Sequence, residues 1–283
     1  MRKSLSERIG FFLLTLAGIL VLFILGVILL DIFSKGIKTI SWEFLTQPPR
    51  EGMTKGGIFP AILGTFVVSL ITVIFAVPLG MFAAIYLHEY ARPGKMTRLI
   101  RLSIRNLSGV PSIVYGLFGV VLFVQMFKFG TSLLSAGLTL GLLTLPWTIT
   151  ACEEALKTVP QSYREGAFAL GATKWYAIRT NVLPYAVPGM LTGVILGLSR
   201  AAGETAPILF TGAAFFLPHL PRSLFDQFMA LPYHLYILAT QHQAIEKVRP
   251  IAYGTALVLL GLIFLLNLSA VWIRYRYRQR MRG

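Results

Sequence analysis

Ser162-Tyr163-Arg164-Glu165-Gly166-Ala167-Phe168-Ala169-Leu170-Gly171 begins the stretch on which the reading of this chain turns. It continues through Leu183-Pro184 into an apolar run that closes on Ser199-Arg200-Ala201-Ala202-Gly203-Glu204-Thr205-Ala206-Pro207. The first half is too polar to sit in hydrocarbon. The second is long and apolar, broken by a single charge pair, Arg200 and Glu204. A polar piece fit to be gripped outside a membrane thus runs directly into a piece fit to face something polar inside one.

Composition agrees. Of 283 residues, 55% are hydrophobic and 13% charged, with a mean hydropathy of +0.71. A soluble domain carries about 25% charged residues, so the class is a polytopic membrane protein. The net charge of +15 invites a nucleic-acid reading, but the basic residues lie between apolar runs and form no single face, which points to membrane topology. The single cysteine, Cys152, excludes an internal disulfide.

Outward from the opening stretch, six apolar segments are expected to span: residues 9–30, 58–87, 106–127, 131–151, 185–210 and 251–273. The first holds 22 uncharged residues and reaches about 33 Å, enough for a hydrocarbon core of about 30 Å. It is longer than a signal-peptide core and lacks a small-residue cleavage site, so it reads as a retained span. Pro78-Leu79-Gly80 should kink the second, and Tyr253 and Trp272 suit the membrane interfaces of the last. Six spans put both termini on one side. That side carries 17 Lys and Arg, including Arg92, Lys95, Arg98, Arg101, Arg105 and the tail cations, against 8 on the other. The excess assigns both termini to the cytoplasm. The expected organisation is a first helix and external loop (1–58), a five-helix core (59–273) with a cytoplasmic loop at 157–184 and an external loop at 211–250, and a basic tail (274–283) attracted to anionic lipid.

Within the cytoplasmic loop, Ser162 and Glu165 have the spacing of a capping box. Gly171 suits the left-handed position past a helix end. Thr173 can cap a second short helix, which Pro184 should end. The resulting knob would expose Tyr163, Phe168 and Leu170, which a partner protein would bury. The competing reading packs these groups back on the bundle.

In the fifth span Gly189, Gly193 and Gly197, continued by Ala201, form a small-residue stripe that admits a close helix neighbour. At about 100° per residue, Arg200 and Glu204 fall on the same side, with the hydroxyls of Ser199 and Thr205 beside them. A charge at mid-bilayer costs about 2.5–3.5 kcal/mol and marks a functional candidate. The competing reading is a self-neutralising pair that fixes packing.

Two runs of residues carry a family resemblance. Glu165, Ala167, Gly171, Leu183 and Pro184 stand at the positions of the EAA loop of ABC importer permeases, with departures at Gly166 (usually alanine) and Asn181 (usually isoleucine). The run Arg200-Ala201-Ala202-Gly203-Glu204-Thr205-Ala206-Pro207 resembles the R-A-x-G-E-T-A-P signature of PstA-type permease subunits of phosphate ABC importers, as does Leu107-Ser108-Gly109-Val110-Pro111-Ser112-Ile113-Val114-Tyr115-Gly116. The resemblance implies an all-α membrane protein of the type I importer kind in the bacterial inner membrane, moving inorganic phosphate by alternating access. It implies a PstC-type sister permease, two PstB-type ATP-binding subunits and a PstS-type external binding protein. Ser162, Glu165, Gly166, Ala167, Gly171, Leu183 and Pro184 would then couple to the ATP-binding subunit, and Ser199, Arg200, Glu204 and Thr205 would line the substrate pathway.

The chain has no G-x-x-x-x-G-K-[ST] loop, so it is expected not to be an enzyme and to bind no cofactor, with ATP and Mg held by the partner. His219, His234 and His242 have no metal-site spacing. Residues 224–240 suit a short outer helix, either a gate element or one lying on the membrane. Thr144 and Thr148 are expected to bond their own backbone. A molybdate or sulfate permease, or a transporter or channel without an ATPase, remains open as an alternative.

Overall fold

A computed structural model describes residues 5–280. Arg2, Lys3 and Arg282, which enter the charge count above, lie outside the described residues. In chain order the helices are α1 (Leu5–Gly36), α2 (Trp42–Thr46), α3 (Phe59–Ile85), α4 (Lys95–Leu107), α5 (Ser112–Gly119), α6 (Leu133–Lys157), α7 (Gln161–Ala169), α8 (Lys174–Ala177), α9 (Leu183–Ala202), α10 (Ala206–Thr211), α11 (Leu231–Thr240) and α12 (Ile245–Arg280). Wide π turns extend α3 (Tyr86–Tyr90) and α5 (Val120–Met126) and join α8 to α9 (Ile178–Val182). Strands β1 (Pro49–Arg50) and β2 (Lys55–Gly56) form a small antiparallel hairpin.

Five helical segments are long and apolar enough to cross a membrane, and a sixth crossing results if the bent pair Lys95–Leu107 and Ser112–Met126 is counted. The expected third span, 106–127, is therefore corrected. Its crossing part begins only at Ser112, and the preceding helix meets it at 102°. Pro111 disfavours helical geometry at Val110 and has no N–H to give, so the chain turns there. The helix before it has cations along one face and apolar residues along the other, as suits an interface.

The helices run far past the apolar boundaries read from sequence. The first reaches Gly36, and the last runs from Ile245 to Arg280, so most of the expected tail is helical. The expected outer loop 31–58 is ordered, with Phe44, Met53 and Ile58 buried. Tyr253 lies beside that loop, its hydroxyl accepting from Lys35 Nζ at 3.3 Å.

At the centre α3, α6 and α9 pack on one another. Ala84, Cys152, Leu156, Val182 and Met190 fill one end of this core; Val68, Leu140, Ile208 and Phe228 fill the other. Small residues set the spacing. A Cβ on Gly193 would overlap the Ala151 side chain, one on Gly189 would come 3.0 Å from Ala155, and one on Gly197 would face Thr148 at 3.8 Å. The expected close-packing stripe is thus the seam with α6, antiparallel to it. Helix α1 touches mainly α12, and its apolar window is entirely unburied, which lipid or another chain tolerates and water does not.

Both ends of the bundle are defined by contacts. Arg101 of α4 pairs with Glu153 near the end of α6 at 2.7 Å, and Arg164 of α7 pairs with Glu89 at the end of α3 at 2.7 Å. These elements form the basic end. The hairpin, α10 and α11 form the far end. The outer helix is shorter than expected, starting at Leu231, and buries Leu231, His234, Ile237 and Leu238. It packs into α12 and α3 and does not lie on the membrane surface.

Candidate functional site

The expected fifth span is a broken helix. Residues 174–202 run through Pro184 and Pro188 without interruption, so Pro184 does not end a helix, contrary to the sequence expectation. The π turn at Ile178–Val182 re-routes the backbone bonds that Pro184 cannot make. The helix instead stops at Gly203 and restarts at Ala206, because Pro207 cannot donate to the carbonyl a turn earlier. Glu204 therefore lies in the break, past the end of α9, and not on the helical face expected for it.

Arg200 Nε donates to Glu204 Oε1 at 3.4 Å. The arginine side chain is 45% exposed and the glutamate 18%. Across the seam the guanidinium lies over the Trp147 ring, 5.3 Å from its centroid. Trp147 lies in the second half of α6 and is itself nearly half exposed. The terminal nitrogens of Arg200 have no hydrogen-bond partner among the described residues. The site is a half-exposed cation held by Glu204 and the Trp147 ring, with its terminal donors unbonded among the described residues. Thr205 stands beside it in the break, half-buried.

Ser199 faces elsewhere. Its hydroxyl lies 2.5 Å from Asn267 Oδ1 of α12 and 2.7 Å from the Ile195 carbonyl, lining an apolar cleft of about 280 Å³ between α3, α9 and α12. Thr144 and Thr148 bond the carbonyls of Leu140 and Thr144, as expected. Trp147 escaped the sequence reading because a tryptophan in an apolar run carries no signal of what lies opposite. Gly116 of α5 packs closely on α10, its Cβ position 3.1 Å from Ala206 O and Pro207 Cα, so a larger residue would have to push α10 slightly away.

The knob at the basic end has the expected first short helix and glycine corner, with a different start; the expected second short helix is instead the opening turn of the long helix that runs on to Ala202. The capping box does not form: α7 begins at Gln161 after Pro160, and no side chain caps it. Ser162 lies inside the first turn, because Pro160 already fixes the entry geometry. Gly171 has φ +78°. Its N–H reaches Phe168 O at 2.9 Å and that of Ala172 reaches Ala167 O at 3.1 Å, the paired bonds of a left-handed helix end. Thr173 caps α8 through the Tyr176 amide at 3.4 Å. Glu165, Phe168 and Leu170 are exposed, Leu170 at 90%, while the partly exposed Tyr163 ring packs back on Tyr185 of α9, 5.2 Å between centroids. Ala167 is buried. A Cβ on Gly166 would meet nothing, so packing does not explain that departure from alanine. Asn181 has a role: its amide donates to Tyr163 O at 3.3 Å, tying α7 to the root of α9. Leu183 and Pro184 are half-buried there.

A bent helical bundle with an exposed apolar knob at one end and a half-exposed cation along it fits a membrane transport subunit. The comparisons agree. Residues 76–283 match the family "Binding-protein-dependent transport system inner membrane component". The chain belongs to this family and is an ABC importer permease. It is 37% identical over 228 residues to "Phosphate transport system permease protein PstA 1" of Mycobacterium tuberculosis, covering 80% of this chain and 72% of that one. It is 33% identical over 281 residues to "Probable phosphate transport system permease protein PstA" of Methanocaldococcus jannaschii, covering 97% and 94%. Among solved structures, a bacterial ABC transporter importing alginate matches with a TM-score of 0.67 at 14% identity, over 97% of this chain and 99% of that one. The inward-facing MetNI methionine transporter matches at 0.58 and 19%, over 78% and 94%. At those identities the structures speak for the fold alone.

Proposed function

We propose that this chain is the transmembrane permease subunit of an ATP-driven importer of inorganic phosphate in the cytoplasmic (inner) membrane, alternating access with a sister permease. The observation that carries the reading is the Arg200–Glu204 pair at the helix break, whose guanidinium is nearly half exposed and keeps its terminal donors unbonded among the described residues, on a flank that the chain itself leaves open. Relatives named as phosphate permeases support the substrate class. The basic end faces the cytoplasm, by the excess of cations there.

Arg200 offers its terminal N–H groups as a fork to phosphate oxygens. At neutral pH phosphate usually keeps a proton, so Glu204 can accept the remaining P–O–H bond while repelling sulfate, which has none. Thr205 supplies a hydroxyl at the same break, and Ser199 holds α9 to α12 behind the pair. At the other end, the knob around Glu165, Gly166, Ala167 and Gly171, entered at Ser162 and rooted at Leu183 and Pro184, docks on a PstB-type ATP-binding subunit, one of two. That partner holds ATP and Mg and does the hydrolysis. A PstC-type permease covers the open flank, and a PstS-type binding protein delivers phosphate from outside.

Arg200→Ala is expected to reduce phosphate uptake in proteoliposomes to background while the tagged chain still copurifies with its partner subunits. Loss of copurification would return the pair to a packing role. Glu204→Gln should lower the phosphate-to-sulfate uptake ratio; an unchanged ratio removes the proton-based discrimination. Uptake without the ATP-binding subunits would overturn the motor.

A further inference from the structure

Arg164 was not singled out in the sequence, and the substrate reading makes no use of it. It is the most heavily bonded side chain at the basic end. Its Nη2 donates to Glu89 Oε1 at 2.7 Å, and Nε lies 3.2 and 3.3 Å from the two carboxylate oxygens. Its Nη1 donates to Val159 O at 3.1 Å, and Nη2 also reaches Leu156 O at 3.4 Å and His88 Nε2 at 3.4 Å. The pair is nearly sealed, with side-chain exposures of 11% and 6%. One guanidinium thus joins the knob helix, the end of α3, and the carbonyls of Leu156 in α6 and Val159 just past it.

The same end of α3 is gripped from its other side. Arg101 of α4 donates to Leu87 O at 2.8 Å and pairs with Glu153 of α6. That ion pair is close without hydrogen-bond alignment, so Arg164 is the better-directed of the two clamps. Toward α9, by contrast, no ion pair joins the knob among the described residues: the links are the π turn at Ile178–Val182, the Asn181 amide bond to Tyr163 O, and the Tyr163 ring against that of Tyr185, 5.2 Å between centroids. Irregular turns inside helices are where bending concentrates. A directional cluster of charge-assisted bonds on one side and a loosened helical turn on the other is an asymmetric mount.

We infer that Arg164, through Glu89, is the positioning residue that fixes the knob to α3, α4 and α6 as one moving block, leaving the π turn as the hinge toward α9 and the Arg200 site. A push on the exposed knob face is then delivered to α3 and α6, and α9 follows by bending. This rests on the permease reading above. It assigns the transmission to a bond that lies away from both the docking face and the substrate.

The test uses the full complex in proteoliposomes, with phosphate as the probe. Arg164→Met is expected to leave copurification of the ATP-binding subunits intact and ATP hydrolysis within about twofold. Phosphate imported per ATP should fall at least tenfold. An unchanged ratio in the assembled variant overturns the inference. If Arg164→Met does not assemble, Arg164→Lys decides. It keeps the charge but cannot span Glu89 and the carbonyls together, so an assembled, uncoupled lysine variant supports the role and a coupled one overturns it. Failure of both to assemble overturns it in favour of a purely structural bond. A second readout does not depend on the substrate: spin labels at Gln161→Cys on α7 and Met96→Cys on α4, in a Cys152→Ala background. Their separation should be the same with and without trapped nucleotide in the otherwise native complex, and should broaden on nucleotide binding in Arg164→Met. A shift in the native complex, or a variant that stays rigid, overturns the block. A native complex that carries the ATP-binding subunits but moves no phosphate refutes the substrate reading, and the label distances still decide the block. A chain that recruits no such subunits takes both down.

Discussion

The chain contains two Arg–Glu pairs built in opposite ways. Arg164 and Glu89 come from residues 75 apart in sequence and close on each other behind the knob, with each guanidinium nitrogen engaged. Arg200 and Glu204 are one turn apart, meet at 3.4 Å, and leave the arginine half exposed with donors to spare. The first pair has no capacity left for a ligand, so its worth lies in geometry. The second is held loosely by its partner and by the Trp147 face, so it can exchange part of that company for an anion. Satisfied donors hold helices; unsatisfied ones are what a permeating anion needs.

Stability separates the two pairs most sharply. Removing one partner of a buried pair leaves an uncompensated charge, costing about 3–5 kcal/mol. Thermal unfolding of the purified chain should show such a loss for Arg164→Met and a smaller one for Arg200→Met, whose arginine is nearly half exposed and more loosely bonded. Equal losses would erase the distinction.

His234 extends the comparison to a buried group with no partner at all: neither ring nitrogen is bonded among the described residues. Burial pushes its pKa down from 6.5 to about 4. Between those values the unfolded chain binds the proton and the folded chain does not, so stability is present near neutrality and lost as pH falls through that window. Hydrogen exchange in α11, corrected for the intrinsic rate, should rise by up to about tenfold per pH unit there. In His234→Leu the dependence should flatten; a native profile that is already flat would mean that the imidazole is not buried neutral.

The smallest effect expected is at Trp147. A ring beneath an exposed cation contributes about 0.5–1 kcal/mol, so Trp147→Leu should raise the phosphate concentration for half-maximal uptake about two- to fivefold. No change would mean that the ring does not steady Arg200.

The knob and the charged break were legible to different depths. The left-handed requirement at Gly171 and the cap at Thr173 follow from local sterics and short-range hydrogen bonding, and the structure has both. Ser162 and Glu165 had the right spacing for a capping box, but Pro160 starts the helix earlier and takes that role from them. The small-residue stripe foretold a close neighbour without saying which; it is α6. Extrapolating helical phase past Gly203 misplaced Glu204, since two local breakers, Gly203 and Pro207, outweigh the apolar pattern on either side.

From the sequence alone came the membrane class, the candidate crossings, the charge asymmetry between the two sides and the family. Each is a sum of local transfer energies or a fixed spacing, and neither needs a neighbour to be defined. Folding decided that Arg164 finds Glu89, that Ser199 turns to Asn267 and not to Arg200, and that a tryptophan on another helix lies under the guanidinium. Those outcomes depend on which helix faces meet and at what height, and packing sets that only once all the helices are in place.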